Sequence, residues 1–159
     1  MDNKLPDNPG VIAPPPLIYA GPLIVGLILH VLFPVSLVRF LPRILRSILG
    51  GSLIGFAFTF IIVAFRTMRH ANTNIDPRQP TTSLVAEGPF QISRNPLYLS
   101  MTLFYIGVTI LVNTLWTALL LPLILIVMRK GVIDREERYL ERKFGEHYLH
   151  YKASVRRWL

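Results

Sequence analysis

Two polar stretches hold most of the residues able to do chemistry. The first runs from Thr81 to Tyr98 and ends in Arg94-Asn95-Pro96-Leu97-Tyr98; the second is Asp134-Arg135-Glu136-Glu137. Proline suits the first turn of a helix, and Asn95 is placed to cap that helix. Its free N–H groups and positive dipole end then offer a site for a carboxylate. On capping grounds alone, the same residues are only the start of a helix. Adjacent carboxylates on a helix point about 100° apart, so one of Glu136 and Glu137 can face inward while the other is solvated. An inward carboxylate beside a membrane pocket can hold an amine or a pair of ribose hydroxyls. Taken alone, the pair reads equally well as a charged, solvated face.

Other chemistries fall away. The chain has no cysteine, which excludes disulfides, thiolate zinc sites and thiol catalysis. His147 and His150 flank no convincing third ligand, so no metal is expected. There is no Gly-rich phosphate loop and no nucleophile–base–acid set. The net charge is +8, but the basic residues gather at the ends of apolar blocks without interleaved aromatics, so nucleic acid is not expected as a partner.

The apolar blocks must position the two polar stretches. The 159 residues are 52% hydrophobic and only 16% charged, with a mean hydropathy of +0.45. A soluble domain carries about 25% charged residues, so the composition points to a lipid bilayer. The expected fold is all-α: a polytopic membrane protein of about four transmembrane helices. The spans are about 17–38, 48–65, 97–112 and 115–128, the last two forming a hairpin that turns at Asn113. Residues 1–16 read as a flexible, Pro-rich tail and 17–159 as one domain. Pro34 should kink the first span near its end. His30, within it, reads as a histidine hydrogen-bonded to a neighbour. Gly51 and Gly55 have GxxxG spacing, expected to serve packing within this chain. Residues 129–159 alternate apolar and charged positions as an amphipathic helix interrupted by Gly145, and Arg156-Arg157-Trp158 reads as a membrane-surface anchor. With four spans, fourteen Lys and Arg, Lys4 included, lie on one side and three near Pro42 on the other. The positive-inside rule then places both termini and both polar stretches in the cytosol.

Read together, the stretches form an ordered pattern: Leu-Val-x-x-Gly-Pro-Phe, Ser-Arg-Asn-Pro-x-Tyr, an apolar hairpin, Glu-Glu-x-x-Leu, Phe-Gly-x-x-Tyr-x-x-Tyr, Val-x-Arg. This pattern resembles the integral-membrane methyltransferase superfamily, which includes the isoprenylcysteine carboxyl methyltransferases and the phospholipid N-methyltransferases. The resemblance covers roughly Thr81 to Trp158. It implies S-adenosylmethionine as cofactor, bound between the last membrane hairpin and the cytosolic tail, in elements 81–98 and 129–159. The residues that match the cofactor contacts are Thr82, Ser83, Leu84, Val85, Phe90, Asn95, Pro96, Leu97, Tyr98, Glu136 and Glu137, with Glu136 the leading contact. Arg94 and Tyr98 are possible contributors to catalysis, but no covalent catalytic group is implied. Two positions depart from the carboxyl methyltransferases. Residue 95 is Asn where they commonly have His, and Val132 stands where they place a substrate-binding Arg. Arg129 or Arg135 would have to substitute.

Methyl transfer from a sulfonium is an in-line displacement that needs alignment and exclusion of water more than a catalytic base. The activity implied is methylation of a lipid-like or prenylated acceptor, with an isoprenylcysteine-type carboxylate first and a phospholipid or other amine second. A non-catalytic membrane subunit whose basic tail contacts anionic lipid is the alternative from another class. The expected location is a bacterial inner membrane.

Overall fold

A computed structural model describes residues 7–159; residues 1–6, Lys4 among them, lie outside the described residues. The described chain is all-helical, with a single isolated bridge between Ser36 and Thr114. Six α-helices follow in order: α1 Pro15–Leu32, α2 Arg43–His70, α3 Pro96–Val112, α4 Leu115–Met128, α5 Asp134–Phe144 and α6 Glu146–Ser154. A 3-10 turn, Gly88–Gln91, precedes α3, and a π turn, Arg129–Ile133, joins α4 to α5. Three helical stretches are long and apolar enough to cross a membrane: α1, α2 and the continuous Leu115–Phe144. The 17-residue α3 is a shorter apolar helix. The outward faces of α1, α2 and α4 carry exposed Ile24, Phe58 and Leu123 among many others, which suits a lipid solvent rather than water.

The hairpin turns where its sequence requires. Asn113 ends α3 in the left-handed region, φ 59°, a conformation asparagine tolerates better than most residues. The first span differs from expectation. Instead of kinking at Pro34, α1 stops at Leu32, because a residue preceding proline is pushed out of the helical region. The segment after it then runs past the hairpin turn. Leu37 N–H donates to Asn113 O at 3.1 Å, and Leu115 N–H donates to Val35 O at 3.1 Å. The Asn113 side chain takes both backbone groups of Val38, at 2.9 and 3.1 Å, and Trp116 Nε1 donates to Phe33 O at 2.7 Å.

Helix α2 packs on α3 and α1 on α4. The close approach of α2 and α3 does not use the expected Gly51 and Gly55, which face open space. It uses Gly50 and Gly107: a Cβ on Gly50 would stand 2.7 Å from Gly107 O, and one on Gly107 would stand 2.8 Å from Ile54 Cγ1. Small residues let two backbones meet in this way. His30 also departs from expectation: its buried Nδ1 has no hydrogen-bond partner among the described residues.

The N-terminal segment, expected as a flexible tail, is tied down from Asp7 onward. Asp7 accepts hydrogen bonds from Tyr139 and Lys143, and Ile12 N–H donates to Gly131 O at 3.2 Å. The amphipathic tail breaks at Gly145, φ 54°, into α5 and α6, whose apolar faces fold onto the protein. Phe90, Tyr148 and Tyr151 form one cluster there with Ala64 of α2, and Leu84 and Val85 of the long loop pack against it.

Candidate functional site

One cavity lies where the loop 71–95, the start of α3 and helices α5 and α6 converge. Its empty space, open mouth included, is about 820 Å³. Its walls bring the two polar stretches together. Of the expected contacts, Ser83, Leu84, Val85, Phe90, Asn95, Pro96, Leu97, Tyr98, Glu136 and Glu137 all line it, as does Arg94.

The carboxylates divide the work, as their positions on one helix allow. Tyr98, buried at the first turn of α3, donates its hydroxyl to Glu136 Oε1 at 2.6 Å. Glu136 is partly buried and opens on the cavity. Desolvation pushes its carboxyl up to about 7, the nearby Glu137 charge adds to the rise, and the Tyr98 hydrogen bond opposes it. Glu137 is 6% exposed and fully engaged by cations. It accepts a two-pronged hydrogen bond from Arg157, at 2.9 and 2.7 Å, and pairs with Arg94 at 3.3 Å. Such planar, forked pairing is what arginine does best.

Arg157 was read as part of a surface anchor, and the structure corrects this. The tail folds back along residues 93–95. Arg94 N–H donates to Arg156 O at 2.9 Å, while Ser93 Oγ and Asn95 Nδ2 both donate to Arg157 O, at 3.2 and 2.9 Å. Arg157 also pairs with Asp134 at 3.0 Å, and Trp158 packs against the core around Tyr98 and Met128. The Asn95 side chain is therefore spent on the tail rather than on capping α3. The Ser93 hydroxyl instead accepts the Asn95 N–H at 3.1 Å. Asn95 holds the N-cap position without a side-chain cap.

Three expected contacts lie elsewhere. Thr82 is exposed outside the cavity and donates its hydroxyl to Asn72 O, helping Thr73 fold the loop on itself. Arg129 is exposed on the π turn, outside the cavity. Arg135 is also outside, with its guanidinium on Gly10 O at 2.7 Å. Val132 is fully buried in the core. No cation beyond Arg94 thus lines the cavity among the described residues.

The structure adds lining residues that the pattern did not single out: Met68 at the end of α2, Asn74 and Ile75 in the loop, and Tyr139 on α5, beside the patterned Leu140. Tyr148 and Tyr151 of the patterned tail are buried and also line the cavity. The i, i+3 to i+4 spacing of Glu136, Tyr139 and Leu140 carried the signal for α5. The loop residues carried none, because their place depends on the fold of 71–83. Arg94 Nε is buried and has no hydrogen-bond partner among the described residues, a donor left for a ligand. His147 and His150 are exposed on α6. Among the described residues no group of metal ligands forms.

A second cavity, almost wholly apolar, lies between α1, α2 and α3. Its lining includes Tyr19, Phe58, Met101 and Phe104. Leu97 lines the first cavity and Met101 the second, so the two sit one above the other along one face of α3. Tyr19 stands between them, with its hydroxyl 2.7 Å from Thr102 Oγ1.

An uncharacterized protein of Haemophilus influenzae is 40% identical over 63 residues, 40% of this chain and 100% of the relative. No solved structure matches. The model of the phospholipid methyltransferase family, which shares a superfamily with the isoprenylcysteine carboxyl methyltransferases, matches residues 45–147 and so reaches from α2 through the hairpin to the acidic pair and α6; the chain belongs to this family of membrane methyltransferases.

Proposed function

We propose that the polar cavity binds S-adenosylmethionine and that the protein transfers its methyl group to a lipid-borne acceptor, an amine in preference to a carboxylate. The carrying observation is the Tyr98–Glu136 pair on the wall of a cavity built from both polar stretches. The site suits such a cofactor in three respects. Glu136 supplies a carboxylate for a cationic or hydroxyl-bearing ligand. Arg94 offers an unpaired N–H suited to a carboxylate. Phe90, Tyr98, Tyr148 and Tyr151 supply aromatic surface, which favours a flat base or a sulfonium.

The cofactor supplies a methyl group activated on a positively charged sulfur. The chain's own residues position and desolvate. Glu136, held by Tyr98, fixes one end of the ligand; Glu137, held by Arg94 and Arg157, fixes the wall. The tail folded over residues 93–95 keeps water from the side facing α5. The apolar cavity one turn along α3 suits the chain of a lipid acceptor, which favours a lipidic substrate over a soluble one.

The choice of amine rests on two points. The family match is to phospholipid methyltransferases. In addition, no further cation stands ready for an acceptor carboxylate: Val132 is buried, Arg129 and Arg135 are outside, and Arg94, paired with Glu137, has only its Nε left, which is assigned to the cofactor's own carboxylate. Both termini and the cavity are assigned to the cytosolic face on the charge distribution, since the cofactor is a cytosolic metabolite.

The test is radiolabelled methyl transfer by protein in nanodiscs offered an aminophospholipid or a prenylated cysteine. Label in the aminophospholipid supports the reading. Label only in the prenylcysteine ester reverses the acceptor assignment. Absence of S-adenosylmethionine binding in folded protein would return the chain to a structural role.

A further inference from the structure

We propose that residues 7–14 form a strap across the cavity mouth, and that ligand can exchange only when the strap is released. This rests on the cofactor reading above only in naming what exchanges. Pro9 lines the cavity. On one side of it Asp7 accepts the Tyr139 hydroxyl at 2.8 Å and Lys143 Nζ at 2.6 Å. On the other, Gly10 O accepts Arg135 at 2.7 Å and Ile12 N–H bonds Gly131 O. The Tyr139 hydroxyl also accepts the Thr81 N–H at 3.1 Å. The strap therefore bridges the cavity's loop wall and its α5 wall, and then runs directly into α1.

The strap's fastenings are of a kind that lets go. The Asp7 and Lys143 side chains are 60% and 27% exposed, so their attraction is screened by salt and weak. Ile12 is half exposed and rests on the π turn at Gly131, where a Cβ would stand 2.3 Å from Ile12 Cδ1. A large side chain at 131 would displace the Ile12 side chain from this seat and so loosen the strap, whereas a small one facing a shortened residue 12 would not. The glycine in the π turn is thus the seat on which the strap closes, in keeping with the tendency of π turns to lie at working sites. Covalent fastening of the strap should stop exchange, and loss of the seat should free it.

The experiment uses the full chain in nanodiscs, where the absence of native cysteine makes an Ile12→Cys/Gly131→Cys pair unambiguous. S-adenosylhomocysteine is the probe. Oxidation of the pair is expected to slow its dissociation about tenfold or more, with recovery on reduction. Equal rates in the two redox states would overturn the strap. A ligand-free arm keeps the two proposals separable. In a Thr81→Cys reporter, Asp7→Asn or Gly131→Leu should raise the maleimide labelling rate of the cavity several-fold, and high salt should do the same. If the probe binds in neither redox state but labelling still accelerates, the cofactor reading fails and the strap stands. Unchanged labelling in both variants removes the strap whatever the probe does.

Discussion

The two ends of the helical bundle are closed in opposite ways. At the hairpin end, Asn113 sits in a left-handed turn and saturates Val38, while Trp116 takes Phe33 O and backbone bonds join the rest. These donors and acceptors join the segment after α1 to the hairpin turn, so that end is a seam. At the cavity end, Arg157 and Arg94 saturate Glu137, yet its neighbour Glu136 keeps only the Tyr98 hydroxyl and Arg94 Nε keeps no partner among the described residues. At the hairpin end Thr114 Oγ1 is also buried without a partner among the described residues, but it lines neither cavity; Arg94 and Glu136 have their spare capacity on a cavity wall, and that marks the end able to do chemistry.

The comparison breaks most visibly at Glu137. Glu137→Gln leaves the buried Arg94 without its counter-charge and Arg157 with Asp134 alone, which should cost about 3–5 kcal/mol. A lowered thermal midpoint in detergent, together with lost ligand binding, is the expected outcome; an unchanged midpoint would mean the buried pair does not hold the tail. One residue earlier, the result should invert. Glu136→Gln and Tyr98→Phe should weaken S-adenosylmethionine binding about ten- to a hundredfold, and Glu136→Gln, which removes a carboxylate that is costly when ionised, should not lower the melting temperature.

The pH response sharpens the same point. A carboxyl raised to about 7 is largely protonated at pH 6, and a cationic ligand prefers the carboxylate. Affinity should therefore rise with pH, by up to about tenfold per unit below that value, and level off above it; Glu136→Gln should flatten the profile. Stability of the ligand-free protein should move the other way. The raised folded value favours the protonated form, so stability is lost as pH climbs from the ordinary glutamate range through about 7.

At the hairpin end, Asn113→Ala should cost about 1–3 kcal/mol, from lost hydrogen bonds and a strained left-handed backbone, with no change in ligand affinity. The smallest effect should come from Gly55→Leu, facing open space, which is expected to shift stability by less than about 0.5 kcal/mol. Gly107→Leu, against Ile54 and Gly50, should prevent the α2–α3 contact; comparable melting of the two variants would contradict the packing.

The sequence made the hairpin legible because Asn113 interrupts an otherwise uniform apolar run, and local backbone preference decides a turn. It also marked most of the cavity, since Tyr98 and Glu136 belong to short patterned stretches. What it hid depended on distant partners. Gly51 and Gly50 look alike in sequence, and only the facing position of Gly107 selects Gly50. Arg157 reads as one more basic residue near a membrane until the chain's return past Ser93 places it against Glu137. Thr82 carries the same pattern as Ser83, yet the fold of the loop turns its hydroxyl to Asn72 O and away from the cavity.

Helix α2 has one further consequence, in the dimension perpendicular to the bilayer. Its uncharged part, residues 48–65, spans about 27 Å at 1.5 Å per residue, close to the roughly 30 Å of a hydrocarbon layer. Arg66, Arg69 and His70 on its last turns then stand above that layer, and Met68 among them lines the polar cavity. The helix thus acts as a depth gauge. It sets the cavity at headgroup level, where, on the function proposed above, a lipid acceptor would present only atoms a short bond path above its apolar chain. On that reading hydrophobic mismatch is a control on catalysis: a thicker bilayer draws the cavity down relative to the headgroups, and turnover should fall with acyl length even where affinity for the cofactor does not.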